Sequence, residues 1–509
     1  MSFDSIRKNV VTTKKIYDKQ NEYPVDCEFT LPDYCPDIER ILKCNIVSRV
    51  ANLSVLSDTA QVDINTVICI LYVTKEDKLF GYEMPLSISK SINVGTIEND
   101  AIKSYSTKTE YVNCRAINNR KIDVHGSVSV ALRLLVADEK NYIETIDDES
   151  IVLKQQNEKV MRPVGFGNKQ ANVGDDITIS NASGSVCNII RSDAWIFVND
   201  CKTISNKAVV KLTLNYEILY LSSDFRYECI KNSVLINQVI DIAGADENSV
   251  CNVNADLCSI SFKTLTNADG EMRTISMNAK INISAVAYSF NDICIVTDGY
   301  SVKYESALEK ESISLKKYIG KIDETISAGE CINLSSEISE IIDLKCSPLN
   351  SFCKSENGFT YICGDMAVCI SLIDENGSCK YYEKVISYSE KILQKECESN
   401  CEFDLNITPI NCTYNIASTN SVDFKCELNV NGLISEPLTI NAVNEILIDT
   451  DKEKNFDDMP SIVAYFGEKG ESVWDIALKY NTSADAIYEA NDIKDDVLQS
   501  DKMLLIPCI

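Results

Sequence analysis

A threefold internal repeat is the strongest constraint on how this chain folds. The run Val62-Asp-Ile-Asn-Thr-Val-Ile-Cys-Ile-Leu-Tyr72 realigns 148 residues later on Val210-Lys-Leu-Thr-Leu-Asn-Tyr-Glu-Ile-Leu-Tyr220. A third copy stands a further 152 residues on, around Tyr361-Ile-Cys-Gly-Asp-Met-Ala-Val-Cys-Ile-Ser-Leu372. The same two offsets carry Ile41-Leu42 onto Ile189-Ile190 and then onto Ile341-Ile342. A later stretch repeats as well: Ile122, Val124, Val128, Val130 and Leu132 find counterparts in Ile275, Met277, Ile281, Ile283 and Ala285, then in Val422, Phe424, Leu428 and Val430. Self-similarity at a fixed long period means that each copy is one structural unit.

Inside each copy apolar and polar residues alternate. Val210, Leu212, Leu214, Tyr216, Ile218 and Tyr220 share one face, and Lys211, Thr213, Asn215 and Glu217 the other. That is the signature of half-buried strands, whose side chains alternate with period two. The expected fold is mainly β, with three repeated β-sandwich-like units, because antiparallel sheets with one wet face bury their dry faces against one another. One long open sheet is the alternative. The units are expected over 24–150, 172–318 and 330–448, and 509 residues are ample for them. A short helix is expected from Asp37 to Cys44, after Pro36. The segments 137–170 and 291–330 read as charged and irregular, carrying the last strand of a unit plus a linker. Gly165-Phe-Gly167 is expected to form a turn there. It lacks the preceding strand, following helix and lysine of a phosphate-binding loop.

Composition removes several function classes. Lys and Arg total 49 against 76 Asp and Glu, a net charge of −27. Nucleic acid and anionic lipid need a cationic footprint and are disfavoured as ligands. The one histidine, His125, falls on the polar face of its strand and is expected to face solvent. Histidine-based triads and acid–base chemistry lack their material. No paired carboxylates stand in a recognisable glycosidase constellation, so no catalytic residue is assigned. The 22 cysteines are scattered and often fall on apolar strand faces, as at Cys369 and Cys426; they read as reduced, small buried hydrophobes. Cys397 and Cys401 are the closest pair, with three residues between them and no histidine nearby; neither a metal nor a cofactor is expected. The sequence shows no export signal and no apolar stretch of membrane-spanning length.

After Ile448 the pattern changes. Asp449–Asp458 is a charged run, expected as a solvated linker over 449–460. Ile462–Phe466 reads as a strand and Gly467-Glu-Lys-Gly470 as a turn. Ser472-Val-Trp-Asp475 has capping-box spacing, and Val473, Ile476, Ala477 and Tyr480 follow at helical intervals to a stop at Asn481. Thr482-Ser-Ala-Asp485 opens a second helix by the same device, which ends at Asn491, and Met503–Ile506 closes with a strand.

This small βααβ unit, 461–509, resembles a LysM domain. The resemblance rests on Gly470-Glu-Ser-Val-Trp-Asp-Ile-Ala477, Tyr480-Asn481, Ala486-Ile487, Ala490-Asn491 and Leu505-Ile-Pro507. It implies a shallow groove between Gly467–Ser472 and Asn491–Asp495 that takes an N-acetylglucosamine-containing glycan or, in a subset, a protein. With nine acids and four bases the module carries −5, which a neutral sugar tolerates and a basic protein surface would favour. The expected contact face is Ile462, Phe466, Lys469, Gly470, Trp474, Asn491, Asp492 and Ile493. Trp474 has two readings, packing between helix and sheet or exposure at the groove edge.

Leu31-Pro-Asp-Tyr-Cys-Pro-Asp-Ile-Glu-Arg-Ile-Leu42 resembles the opening motif of the SPOCS-domain family, and Asp298-Gly-Tyr-Ser-Val-Lys-Tyr304 a later motif of it. SPOCS repeats followed by a LysM domain are similar to the spore coat morphogenetic proteins of the SipL and SpoVID type. The resemblance implies a non-enzymatic adaptor, made in the mother cell and recruited to the forespore surface. It implies a coat morphogenetic ATPase of the SpoIVA type as partner. A LysM protein attached to peptidoglycan or a chitin-like polymer is the alternative.

Overall fold

A computed structural model describes residues 5–97, 101–180, 183–267, 269–356, 359–392, 401–455 and 460–508. The first unit runs through β1 (Ser5–Thr30), β2 (Arg40–Leu56), β3 (Thr59–Val73), β4 (Leu79–Asn93), β5 (Ile102–Ala116) and β6 (Lys121–Ile146). The second comprises β7 (Ile151–Thr178), β8 (Val186–Ile204), β9 (Lys207–Ser222), β10 (Tyr227–Asp241), β11 (Val250–Thr266) and β12 (Met272–Ser301). The third comprises β13 (Tyr304–Asn333), β14 (Ile338–Pro348), β15 (Phe352–Glu356), β16 (Phe359–Asp374), β17 (Cys379–Ile392), β18 (Glu402–Ser418) and β19 (Ser421–Glu453). All pairing in them is antiparallel.

Each unit has the same plan. A meander sheet (β2-β3-β4, β10-β9-β8, or β14/β15-β16-β17) faces a second sheet built from the unit's first and last two strands (β1-β6-β5, β11-β12-β7, β13-β19-β18). The repeated sequences are the central strands of these sheets, β3, β9 and β16 against β6, β12 and β19. Their apolar faces meet as the sandwich core, for example Val210, Leu212, Leu214, Tyr216 and Ile218 against Ile275, Met277, Ile281 and Ile283. The alternation is strictest in β3, where every second residue from Ala60 to Tyr72 is buried.

The sequence expectations fail where chain beyond the sandwich is concerned. The segments 137–170 and 291–330 are not irregular and carry no linker beyond a tight turn; they run through the end of β6 into β7 and through the end of β12 into β13. β1 starts at Ser5, well before residue 24, and β19 runs to Glu453, so the charged run begins as strand rather than linker. The helix expected over Asp37–Cys44 does not form. Residues from Arg40 onward pair with β3, and the preceding segment is a turn held by Arg120. That guanidinium donates to the carbonyls of Leu31, Pro32 and Cys35 and to Asp37, at 2.7–3.1 Å. Gly165-Phe-Gly167 is not a turn either; it lies within β7, just past a bulge at Val164. A Cβ on Gly165 would stand 2.1 Å from the Ala243 carbonyl oxygen, and one on Gly167 2.3 Å from that of Asp241. These glycines admit a crossing backbone. His125 stands exposed as expected, with Nδ1 2.8 Å from Asp26 and Nε2 3.2 Å from Asp123. Hydrogen bonding to Asp26, then the charge of Asp123, raises its pKa. Cys397 lies outside the described residues.

The three units close around one axis. Leu42, Ile190 and Ile342, which the repeat equates, come together with Leu79, Leu219, Leu221 and Cys379 in one apolar plug. At the other end the outer halves of the long strands form three two-stranded ribbons, β1–β6, β7–β12 and β13–β19. They share a core of Val10, Val160 and Ile313, in which Tyr142, Ile295 and Ala442 are repeat equivalents. Ile143, Val296 and Val443 form the next layer. The arrangement is quasi-threefold, with every unit touching both others.

Replacing Ile190 by Ala should cost about 2–5 kcal/mol against denaturant, the usual range for emptying a buried aliphatic site. Ile190→Arg puts a charge in the plug while leaving each sandwich core intact. Strand content by circular dichroism should persist and the radius of gyration in solution scattering should rise. An unchanged radius would show that the plug does not hold the units together.

Candidate functional site

The terminal module comprises β20 (Ile462–Gly467), α1 (Val473–Tyr480), α2 (Ala484–Asn491) and β21 (Lys502–Pro507). Val473, Ile476, Ala477 and Ile487 of the helices pack on Leu504 and Ile506 of the sheet, with Leu498 between. Asn481 ends α1 in the left-handed region at φ 53°, its backbone N–H returning to the Ala477 and Leu478 carbonyls. The capping boxes expected at both helix starts are absent. Ser472 is the N-cap residue of α1, but its hydroxyl donates to Asp496 at 3.4 Å instead. Its backbone pairs with Val497, and this pairing fixes the entry angle in place of a cap. At α2 the cap is Ser483, whose oxygen accepts from the Ala486 N–H at 3.1 Å, and Thr482 is buried.

The eight expected contact residues fall into four places. Ile462 and Phe466 stand on the outer face of β20, 60% and 67% exposed. Met503 pairs opposite Phe466 and Leu505 opposite Ala464, and both also point outward, at 63% and 44%. Sequence reading missed these two, although parity could have found them: Leu504 and Ile506 are the core residues of β21, so their neighbours must face out. Lys469 and Gly470 form the exposed turn, with the Lys469 N–H on Asp501 at 2.8 Å and Gly470 at φ 97°. Asn491 is structural: its carboxamide both accepts from the Leu505 N–H and donates to the Leu505 carbonyl, each at 2.7 Å. Asp492 is the exposed left-handed cap of α2, and Ile493 packs half-buried on the module's core.

Trp474 is elsewhere. It is 5% exposed and faces the β body rather than the groove edge. Its indole N–H donates to Asp298 at 2.9 Å, and Asp298 also accepts from Lys310 at 3.1 Å. Tyr300 meets the indole edge-on at 5.3 Å between ring centroids, and its hydroxyl donates to the Thr482 carbonyl. The Asn481 side chain donates to the Val302 carbonyl. Lys454 ties Asn481 to the Ser301 carbonyl, at 2.7 and 2.8 Å. Lys154 pairs with Asp496 at 3.0 Å. Burial alone would raise the Asp496 pKa, but the Lys154 ammonium prevails and holds it below the usual value. Gly299 carries no side chain because a Cβ would meet Leu153, Ile446 and the Val152 carbonyl at 3.1–3.2 Å. The Asp298-Gly-Tyr-Ser motif is thus the seat of the terminal module.

A family model described as LysM domain matches residues 468–507, which span the turn, both helices and β21. A second, described as SipL, SPOCS domain, matches residues 185–265, from β8 through β11 of the second unit. This chain carries a SipL SPOCS domain and a LysM domain. The pairing is that of a SipL-like spore coat protein, and both domains are binding or structural modules. The SPOCS match falls in the second unit, whereas the motif at Leu31–Leu42 lies in the first. No curated protein and no solved structure matches the chain. Among the described residues no helix is long and apolar enough to cross a membrane, and no cluster of three or more potential ligands is placed to hold a metal ion.

The seat is testable through Trp474, because the chain holds two tryptophans. In a Trp195→Phe background, Asp298→Ala leaves the indole N–H unpaired and should cost the seating about 1–3 kcal/mol. Tyr300→Ala should cost it about 0.5–1.5 kcal/mol beyond lost area. Each should shift Trp474 emission to the red. Unshifted emission in both variants would contradict the seat.

Proposed function

We propose that this chain is a non-enzymatic adaptor of spore coat morphogenesis, working in the mother cell and recruited to the forespore surface. Its LysM domain docks a coat morphogenetic ATPase of the SpoIVA type. The reading is carried by one observation: four large apolar side chains, Ile462, Phe466, Met503 and Leu505, stand on the outward face of the LysM sheet. Apolar anchors ringed by polar groups suit a small protein interface. The rim is supplied by Glu468, Lys469, Asp501 and Lys502.

Trp474 enters this reading through position rather than contact. Its indole locks the domain to the body, so its loss would free the domain instead of removing a partner contact. Glycan binding at the turn of Lys469 and Gly470 and at Asp492 is the second reading, favoured by the LysM match itself.

Ile462→Arg and Phe466→Arg are surface changes that leave the LysM core alone. Each should weaken capture of the purified coat ATPase at least about tenfold, the loss of one anchor of ~1.4 kcal/mol or more. Wild-type capture by both would reject the face. Sedimentation of the full chain with insoluble peptidoglycan, undiminished in the same variants, would favour the glycan reading.

A further inference from the structure

Each sandwich closes along one side where two edge strands meet, one from each sheet: β2 with β5, β8 with β11, and β14 with β18. Threonine hydroxyls stitch the first seam, Thr107 to the Ser48 carbonyl at 2.7 Å and Thr109 to that of Ile46 at 2.6 Å. Thr203 does the same for the second, on the Ser249 carbonyl at 2.7 Å.

On all three seams a cysteine of one edge strand meets a cysteine of the other. Cys44 and Cys114 pack in one apolar cluster, and Cys201 and Cys251 pack in another and line one small cleft. The sulfurs of Cys346 and Cys412 are 3.0 Å apart. One member of each pair is buried (Cys44, Cys251, Cys346) and the other half-buried (Cys114, Cys201, Cys412). The pairs do not share one repeat position. Cys44 lies opposite Ile70 of β3, whereas Cys201 lies opposite Val210, the counterpart of Val62. Three separate placements therefore reach the same seam. A small apolar filler needs no partner of its own kind, so burial alone does not account for the pairing. The contact also prepares the chemistry. A hydrogen bond from the buried partner holds the Cys114 and Cys201 thiols below their ordinary pKa. In the third unit Cys426, beside both Cys346 and Cys412, is drawn down to about 4 by them.

We propose that these three pairs are modification sites, cross-sheet thiols that a hydroperoxide converts to disulfides, stapling each sandwich along its seam. The thiolate of Cys114, of Cys201 or, in the third unit, of Cys426 attacks a peroxide oxygen; an S–O bond forms, the O–O bond breaks, and hydroxide leaves, taking a proton to become water. The partner thiol gives its proton to solvent, and its thiolate attacks the sulfenic sulfur. The S–S bond forms, the S–O bond breaks, and a second water departs. Two thiols lose two electrons and one peroxide gains them. The staple joins strands far apart in sequence and restrains the unfolded chain, which is where a disulfide acts most.

The full chain, reduced and then exposed to hydrogen peroxide, should lose six alkylatable thiols in denaturant. It should stay monomeric without reductant and recover all six with dithiothreitol. Peptide mapping should find Cys44 joined to Cys114, Cys201 to Cys251, and Cys346 to Cys412 or Cys426, either of which crosses the sheets. Cys114→Ser should lose four thiols instead of six, leaving Cys44 alkylatable. The proposal is overturned if the wild-type chain keeps these cysteines as thiols after oxidation. It is equally overturned if the bonds formed join separate chains through the exposed Cys187, Cys229 or Cys331.

Discussion

The apolar plug at Leu42, Ile190 and Ile342 is the constraint on which the rest of the architecture depends. A repeat protein that stacks its units in a row buries each against its neighbours and needs caps at the ends. Three units closed around an axis have no ends. In the plug Leu42 packs with its counterparts Ile190 and Ile342, so the repeated sequence satisfies itself. The ribbons follow from this closure. A lone two-stranded ribbon is marginal in water, yet three brought to one axis share Val10, Val160 and Ile313 and the layer of Ile143, Val296 and Val443 beneath.

Charge fixes the order in which the units meet. Arg191 of the second unit is enclosed between Asp193 and Asp343, the latter at 2.7 Å and from the third unit. Lys345 of the third reaches back to Asp193. Burial, with Arg191 next to it, draws Lys345 down to about 8. Buried pairs contribute little net stability because desolvation offsets their attraction, but breaking one leaves an uncompensated charge. The other interface of the third unit is different: Lys43 of the first pairs with Glu383 at 2.5 Å at a more exposed site. Units exchanged around the axis would part Arg191 from Asp343 and Lys345 from Asp193. The apolar plug favours closure, and these unlike polar sets select one arrangement.

The strands were legible because alternation is a local property. Val62–Tyr72 and Val210–Tyr220 declare their core faces without reference to anything distant. The LysM helices were legible for the same reason, down to the left-handed stop at Asn481. What could not be read depends on neighbours. Lys14, Lys15 and Lys19 make the end of β1 look like surface chain, and only the two other ribbons turn its Val10 inward. The polar face of β9 seemed wet, yet Thr213 and Glu217 are buried, Glu217 against Lys231 at 2.8 Å and Arg191. Ser472 had the spacing of a cap but found a better partner in Asp496 across a loop. Trp474 carried no local sign of Asp298, which lies 176 residues away.

The route of the chain explains why the LysM domain presents the face it does. β19 ends at the ribbon tips, where the Lys454 N–H meets the Lys303 carbonyl at 3.0 Å. The connection from there to β20 is short, so the domain is delivered beside Asp298, Tyr300 and Lys154 and seats on them through α1. A two-stranded sheet under two helices has one covered face, here Val463, Tyr465, Leu504 and Ile506. The seat occupies the side of Trp474, Asn481 and Asp496, which leaves the opposite face of the sheet uncovered. A domain with no further contact would keep polar residues there, since solvated sheet faces are ordinarily polar. Ile462, Phe466, Met503 and Leu505 depart from that rule together, and on the one face that the seat keeps clear of the body.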